Sequence, residues 1–420
     1  MAQHPISDLS GRHQEFRKAY EEFQALGLAL DMTRGKPSAQ QLDLSNELLS
    51  LPGSDYRDAA GTDTRNYGGL DGLPGMKALF ADILGVDKDL VIIGGSSSLT
   101  MMYDTLARAC MFGVPGGDGP WYGVPDRKFI CLTPGYDRHF LVTEHLGFGL
   151  IDVGILDDGP DMDTVESLVR EDSSIKGIWC VPKFSNPTGA CYGAEAVERL
   201  AAMDTAAPDF RIIWDNAYAE HHFKGDYVEI PDIAQACERA GTPDRVYQFA
   251  STSKITHPGS GVAAMASSET NVADARKHIE VQTIGPDKVN QLRHLRLFGD
   301  LEGLRHHMTL HADIVRPKFE LVQNILQAEL GELGVATWTQ PAGGYFISLD
   351  VPDGLASEVV GLAASAGVKL TAAGAPFPYG KDPRDRNIRI APTFPPMEDI
   401  EKATRVLTAC VQLAASARHD

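Results

Sequence analysis

Lys254 closes the string Ser251-Thr252-Ser253-Lys254, directly after the short apolar run Val246-Phe249. A lysine desolvated at a strand end has a lowered pKa and becomes a nucleophile toward carbonyl carbon, whereas a solvated surface lysine stays an inert cation. Asp215 closes a second apolar run, Arg211-Trp214, with Tyr218 three residues on. A carboxylate there is costly unless a cation pairs with it, and a protonated pyridine nitrogen is one such cation. At an effective dielectric near 20 that pair is worth ~4 kcal/mol at ~4 Å, or roughly three pKa units. That margin would keep a pyridine protonated at neutral pH, as an electron sink requires.

Three further runs end in groups that complement these. Val91-Ile93 leads into Gly94-Gly95-Ser96-Ser97-Ser98 and then a helical stretch. Bare backbone N-H groups, hydroxyls and a helix N-terminus suit a phosphate, although such a junction also serves as plain structure. Lys128-Leu132 leads to Pro134, Tyr136 and His139, and Gly177-Val181 leads to Ser185-Asn186-Pro187-Thr188-Gly189. In open parallel sheets ligands bind beyond the carboxyl ends of the strands. The run ends thus bring together an anion cradle, an aromatic, an amide, a carboxylate with a phenol, and a lysine.

The elements that must position these groups follow from the hydrophobic pattern. Short β-rich runs, adding Leu150-Val153 and Val262-Met265 to those above, are separated by stretches long enough for helices. This alternation predicts an α/β fold with a mainly parallel sheet of seven strands, covered by helices on both faces. Before it, Ser7 to Leu26 reads as a helix with Ser7 as cap, Phe16, Tyr20 and Phe23 on one face, and Gly27 as the stop. After about His306 the rhythm changes to a helix from His311 to Leu333, a strand Gly344-Leu349, a helix Ala356-Ala366 and a strand Ile388-Ala391. The expected organisation is an N-terminal segment over 1–50 packing with the small domain, a large domain over 51–308 and a small α/β domain over 309–420.

The 420 residues carry 38 Lys and Arg against 57 Asp and Glu, a formal net charge of -19, which argues against a nucleic-acid binder. The six cysteines show no CxxC pair and no metal-ligand spacing, as expected of buried thiols in a reducing cytosol. The N-terminus lacks the apolar core of a signal peptide and no apolar stretch approaches the roughly 18 residues of a membrane span. The expected location is the cytoplasm.

The set Tyr67, Gly95-Ser96, Pro134-x-Tyr136-x-x-His139, Asn186-Pro187-x-Gly189, Asp215-x-x-Tyr218, Ser251-x-Ser253-Lys254 and Arg389 resembles, in order and spacing, the class I aminotransferases of pyridoxal-phosphate fold type I. The strings Thr33-Arg34-Gly35-Lys36-Pro37-Ser38, Asn66-Tyr67-Gly68-Gly69-Leu70 and Gly285-Pro286-Asp287-Lys288-Val289-Asn290-Gln291-Leu292-Arg293-His294 resemble more narrowly a divergent bacterial branch of aspartate aminotransferases. The resemblance implies that Lys254 carries pyridoxal 5'-phosphate and shuttles a proton, that Asp215 pairs with the ring nitrogen, and that His139 supports Asp215 from behind. It implies that Asn186 and Tyr218 bond the phenolic oxygen and that Tyr136 stacks on the ring. Gly95, Ser96, Ser97, Ser251 and Ser253 would form the cofactor cradle, helped by Tyr67 of a second subunit in a homodimer. Arg389 would fork onto the substrate α-carboxylate, with Asn186 and Gly35 beside it. The implied reaction is transfer of the amino group of L-aspartate to 2-oxoglutarate, with no metal.

One position departs from the family. An arginine is usual eight residues after the lysine, and here Val262 stands there, preceded by Gly259-Ser260-Gly261. Either that Gly-rich turn offers N-H donors to the phosphate or a remote cation such as Lys288 replaces the arginine. For a second substrate carboxylate, Arg34, Lys36, Lys183, Lys288, Arg293 and Arg296 are all available.

Other readings explain less. Ser251-x-x-Lys254 also fits the SxxK motif of serine acyltransferases, but its companion SDN and KTG strings are absent. The GxGxxA string Gly259-Ala264 leads into a strand-like run instead of a helix, unlike a dinucleotide fingerprint. His307 and His311, spaced i and i+4, read as a solvated helix face and not as metal ligands. An effector-binding half of a transcription regulator would need a DNA-binding domain within residues 1–50, which show no helix-turn-helix pattern. A β-lyase or decarboxylase on the same fold would use the same lysine and aspartate and differ in its products.

Overall fold

The computed structural model describes residues 9–223 and 227–418. Its main sheet has the order Val91–Ile93, Ala263–Ala266, Val246–Ser251, Arg211–Asp215, Ile175–Cys180, Lys128–Thr133, Gly149–Leu156, Gly159–Pro160. The five strands from Val246–Ser251 to Gly149–Leu156 run parallel, so their carboxyl ends share one edge. Ala263–Ala266 is antiparallel to both of its neighbours. The expected seven strands become eight. The addition is the two-residue Gly159–Pro160, antiparallel to Gly149–Leu156 at the sheet edge. A proline is tolerated there because an edge strand need not donate from every N-H, and two residues leave no periodic signal.

Successive side chains of the central strands pass to opposite faces. Ile178, Ile212 and Val246 join one apolar cluster with the helices Met162–Glu171, Ala194–Ala202 and Ile233–Arg239. Trp179, Ile213 and Tyr247 join another with Ser98–Phe112, Asp137–His145 and Glu269–Gln282. Burial on both faces explains why these strands read as continuous apolar runs.

The C-terminal part holds an antiparallel sheet ordered Thr337–Trp338, Ile347–Asp350, Asn387–Ile390. Its core includes Phe319, Val322, Leu326, Ile347, Ile388, Ile400 and Leu407, and Phe16 and Tyr20 of the first helix enter the same cluster. That helix spans His13–Ala25, and the Tyr20 hydroxyl donates to Leu362 O at 3.0 Å. The expected cap Ser7 lies outside the described residues; Gly27 takes φ 60°, a left-handed turn that ends the helix without strain.

The long helix runs Leu301–Leu330, beginning ten residues before the expected His311. Asp300 starts it by accepting from Gly303 N-H at 2.9 Å, a side-chain cap hidden in the sequence by the polar residues that follow. Leu304 and Met308 pack with the main-sheet cluster, whereas Val315, Phe319 and Val322 pack with the C-terminal one. Among the described residues no helix is long and apolar enough to cross a membrane.

Candidate active site

The ends of the parallel strands bring several of the expected side chains close to one another. Asp215, last residue of its strand, is 3% exposed, and its Oδ2 lies 3.0 Å from His139 Nε2. Its Oδ1 is buried and has no hydrogen-bond partner among the described residues. His139 is held by rings on two sides: it stacks on Trp179 at 4.2 Å and 7°, and Tyr136 meets it edge-on at 4.9 Å. Burial, and then the charge of Asp215, push the Tyr136 phenol up to about 12.

Lys254 follows the strand Val246–Ser251 and is half-buried, with Nζ 4.9 Å from the centroid of the Tyr218 ring. Burial lowers its pKa, and the Asp215 carboxylate pulls in the opposite direction. Tyr218 is 2% exposed and burial raises its phenol well above the ordinary value.

Beside them, Arg389 projects from the strand Asn387–Ile390 of the C-terminal sheet. Its Nη1 donates to Asp137 Oδ1 at 3.0 Å and to Asn186 Oδ1 at 3.4 Å, and its guanidinium sits 5.2 Å from the Phe346 ring centroid. Gly35 touches the same ring: a Cβ at Gly35 would come within 2.3 Å of Phe346 Cζ. The N-terminal segment, the main sheet and the C-terminal sheet therefore all contribute to this corner.

Ser251, Ser253 and Ser96 are linked. Ser251 Oγ donates to Ser253 Oγ at 3.1 Å, and Ser253 Oγ donates to Ser96 O at 3.0 Å. Gly95 is exposed, and Ser97 stands at the N-terminus of helix Ser98–Phe112 without a side-chain cap bond. Gly261 closes against this loop, since a Cβ there would lie 3.0 Å from Ser96 O.

Val262 does not face the cradle. It is buried with Leu73, Phe80 and Ile255, and its N-H donates to Thr252 Oγ1 at 2.9 Å. Lys288, 4% exposed, donates from Nζ to Gly68 O at 2.6 Å, which ties it to the loop after Tyr67. Tyr67 itself is 80% exposed.

The structure also narrows the cations. Lys183 is buried, donates to Ala219 O at 2.7 Å, and burial lowers its pKa to about 8. Arg293 donates to Leu51 O, and Arg296 pairs with Asp55. Arg34 and Lys36, on either side of Gly35, are exposed, with Lys36 Nζ 3.9 Å from the Phe394 ring centroid.

Sequence reasoning missed Asp137, Trp179, Phe346, Tyr345 and Gln41. Gln41, fully buried, donates from Nε2 to Tyr345 Oη at 3.0 Å, and Tyr345 Oη donates to the Lys254 carbonyl at 3.2 Å. Gln41 Nε2 also reaches His311 Nδ1 at 3.1 Å, and His311 Nε2 lies 3.2 Å from His307 Nε2. His307 and His311 are thus buried in a network beneath the lysine loop and are not the solvated face expected of them. The apolar surroundings of a 3.6-residue period carry no mark of which polar side it faces. Among the described residues no group of three or more His, Cys, Asp or Glu is arranged for a metal.

The family model "Asp_aminotransf: Aspartate amino-transferase" matches residues 4–419. The aspartate aminotransferase of Corynebacterium glutamicum is 49% identical over 405 residues, covering 96% of this chain and 94% of that protein. A crystal structure of an aspartate transaminase from Corynebacterium glutamicum superposes with a TM-score of 0.95 at 48% identity, covering 97% and 96% of the two chains. The α-aminoadipate aminotransferase of Thermus thermophilus, solved with N-(5'-phosphopyridoxyl)-L-leucine, shares the fold at a TM-score of 0.72 and 20% identity, covering 100% and 96%.

Proposed function

The chain belongs to the aspartate amino-transferase family, and we propose that it uses pyridoxal 5'-phosphate to move the amino group of L-aspartate to 2-oxoglutarate, giving oxaloacetate and L-glutamate. The observation that carries this reading is the pairing of a pKa-lowered Lys254 with an Asp215 whose Oδ1 is buried without a partner. A buried acceptor left open needs a donor from outside the chain, and a protonated pyridine nitrogen is one. The phosphopyridoxyl group bound to the Thermus relative supports the same assignment.

Bound in the cleft, the cofactor supplies an electron sink for breaking a bond at the amino acid's Cα. Lys254 Nζ would hold it and would move the proton taken from the substrate Cα. Asp215 would keep the ring nitrogen protonated, while His139, fixed by Trp179 and Tyr136, holds Asp215 Oδ2. Asn186 Oδ1 accepts from Arg389, which leaves Nδ2, with the Tyr218 hydroxyl, as the groups that would donate to the phenolic oxygen. Tyr136 would pack against the ring. Gly95, Ser96, Ser97 and Ser251 would hold the phosphate, with Ser253 tied to Ser96 beside them. Val262 is turned into the core and Lys288 donates to Gly68 O, and in this reading the backbone N-H groups of the Gly-Ser loop would help hold that charge. Arg389 grips the α-carboxylate with Gly35 alongside, and Arg34 and Lys36 are the cations left for the distal carboxylate.

The working form in this reading is a cytoplasmic homodimer in which the exposed Tyr67 reaches the phosphate of the neighbouring site. We divide the chain into a segment 1–50, a cofactor-binding domain 51–308 and a small domain 309–420. The long helix crosses the last boundary and would act as the connecting rod between the two cores.

The test is the absorption spectrum of the purified protein. A yellow band that L-aspartate bleaches and 2-oxoglutarate restores is the expected result. A yellow protein indifferent to aspartate would move the donor to another amino-acid class, and a colourless protein that cannot be reconstituted would overturn the role of Lys254.

A further inference from the structure

We propose that Asp137 is a positioning residue for substrate binding: it holds Arg389 by Nη1 alone, and so keeps the Nε–Nη2 edge of the guanidinium available to the planar carboxylate of the substrate. The inference rests on the reading of Arg389 as the α-carboxylate residue and extends it to a side chain that the family-like motifs do not single out.

Both polar contacts of Arg389 run through the same nitrogen. Nη1 donates to Asp137 Oδ1 at 3.0 Å and to Asn186 Oδ1 at 3.4 Å, while Nε is buried with no acceptor among the described residues. A guanidinium carries five N-H donors in a rigid fork, so fixing Nη1 fixes the direction of the remaining edge. Asp137 engages one nitrogen and not two. A carboxylate seated across Nε and Nη2 would have closed the site, whereas this one meets the guanidinium end-on and leaves the bidentate edge to the ligand.

The remaining freedom of the side chain is removed from a third direction. The Phe346 ring lies 5.2 Å from the guanidinium, and Gly35 backs that ring. Asp137 comes from elsewhere in the chain: it opens the helix Asp137–His145, directly after Tyr136, in the loop whose Gly135 N-H donates to Pro376 O at 2.8 Å. The loop that presents Tyr136 and His139 therefore also aims an arginine 252 residues away. The Asp137 side chain is 30% exposed and the Arg389 side chain 8%, so the carboxylate is hydrated from outside while the arginine faces inward. Between half-reactions the cation has a resident partner, and it need not reorganise when a substrate arrives.

The experiment uses the holoenzyme of three variants, Asp137→Ala, Asp137→Asn and Arg389→Lys. It measures kcat and KM for L-aspartate and 2-oxoglutarate, and the calorimetric Kd of succinate, an unreactive dicarboxylate. Asp137→Ala frees the arginine, so KM for both substrates and the succinate Kd should rise together by about tenfold, with kcat changed by no more than about threefold. Asp137→Asn keeps an acceptor oxygen at the same place and should stay within about threefold of the parent protein in all three constants. Thermal unfolding of each variant separates loss of fold from loss of aim. Unchanged or tighter succinate binding in Asp137→Ala overturns the proposal, since Asp137 would then be a bystander or a competitor. An Asp137→Asn variant as weak as Asp137→Ala, at an unaltered melting temperature, overturns it as well. If Arg389→Lys leaves KM and the succinate Kd unaltered, it is the reading of Arg389 that falls.

Discussion

Asp215 and His139 share one hydrogen bond, 3.0 Å from Oδ2 to Nε2, and it spends only one of the two carboxylate oxygens. The other, Oδ1, is buried without a hydrogen-bond partner among the described residues, and the charge of the carboxylate is felt at Lys254. His139 in turn is flat against Trp179, so the carboxylate is braced from behind by an aromatic stack.

Asp215→Ala should retain the fold and lose most of the rate. Removing a partner worth ~4 kcal/mol lowers kcat by roughly three orders of magnitude. Single-turnover kinetics with L-aspartate would measure it, and a rate near that of the parent protein would mean that the carboxylate has been given the wrong task.

Lys254→Ala should abolish steady-state transamination, because it removes the amine that in this reading both holds the cofactor and moves the proton. Turnover close to normal in that variant would refute the lysine mechanism outright.

Replacing Arg389 by lysine should raise KM for every amino acid tried, by about tenfold or more, since an ammonium cannot reproduce a bidentate fork. A panel of acidic and neutral donors decides the point. A defect confined to aspartate would make Arg389 a distal-carboxylate residue instead.

Gly35→Ala tests the corner from the other side. The added methyl group would have to displace the Phe346 ring, which it would approach to 2.3 Å. Overpacking of this kind costs about 1–3 kcal/mol. We expect a lower melting temperature together with a higher KM, because Phe346 lies under Arg389. A KM unaffected by the substitution would separate the ring from substrate binding.

The buried histidines should make the fold sensitive to acid. Burial lowers His311 from 6.5 to about 3, with the neighbouring His307 acting in the same sense. A histidine whose folded pKa is depressed binds its proton more readily in the unfolded chain, so its stabilising contribution is complete above the unfolded value near 6.5 and is lost as pH falls toward 3. Each such group sets a slope of about 1.4 kcal/mol per pH unit in that window. Thermal melts between pH 7 and pH 5 should show stability falling, and His311→Gln should flatten the slope even if its melting temperature at pH 7 is lower. An identical slope in that variant would remove His311 from the account.

Much of this was legible in the sequence because its causes are local. A strand buried on both faces needs an unbroken apolar run, and the polar residue that ends the run must lie at the sheet edge, so Asp215, Lys254, Asn186 and Gly95 could be placed by position along the chain. The number of strands, the start of the long helix and the burial of His307 and His311 were not legible, because an edge pair of two residues, a single capping carboxylate and a polar network in the core leave no periodic trace.

The sequence by itself determined which chemical groups the strand ends present: a lysine, a carboxylate, an amide and a Gly-Ser loop. Only the tertiary structure decided their mutual aim. Val262 points into the core, Lys288 is taken by Gly68 O, and Arg389 is gripped through one nitrogen by Asp137. These outcomes depend on contacts between segments hundreds of residues apart, and such contacts are fixed by packing, not by the order of residues within a segment.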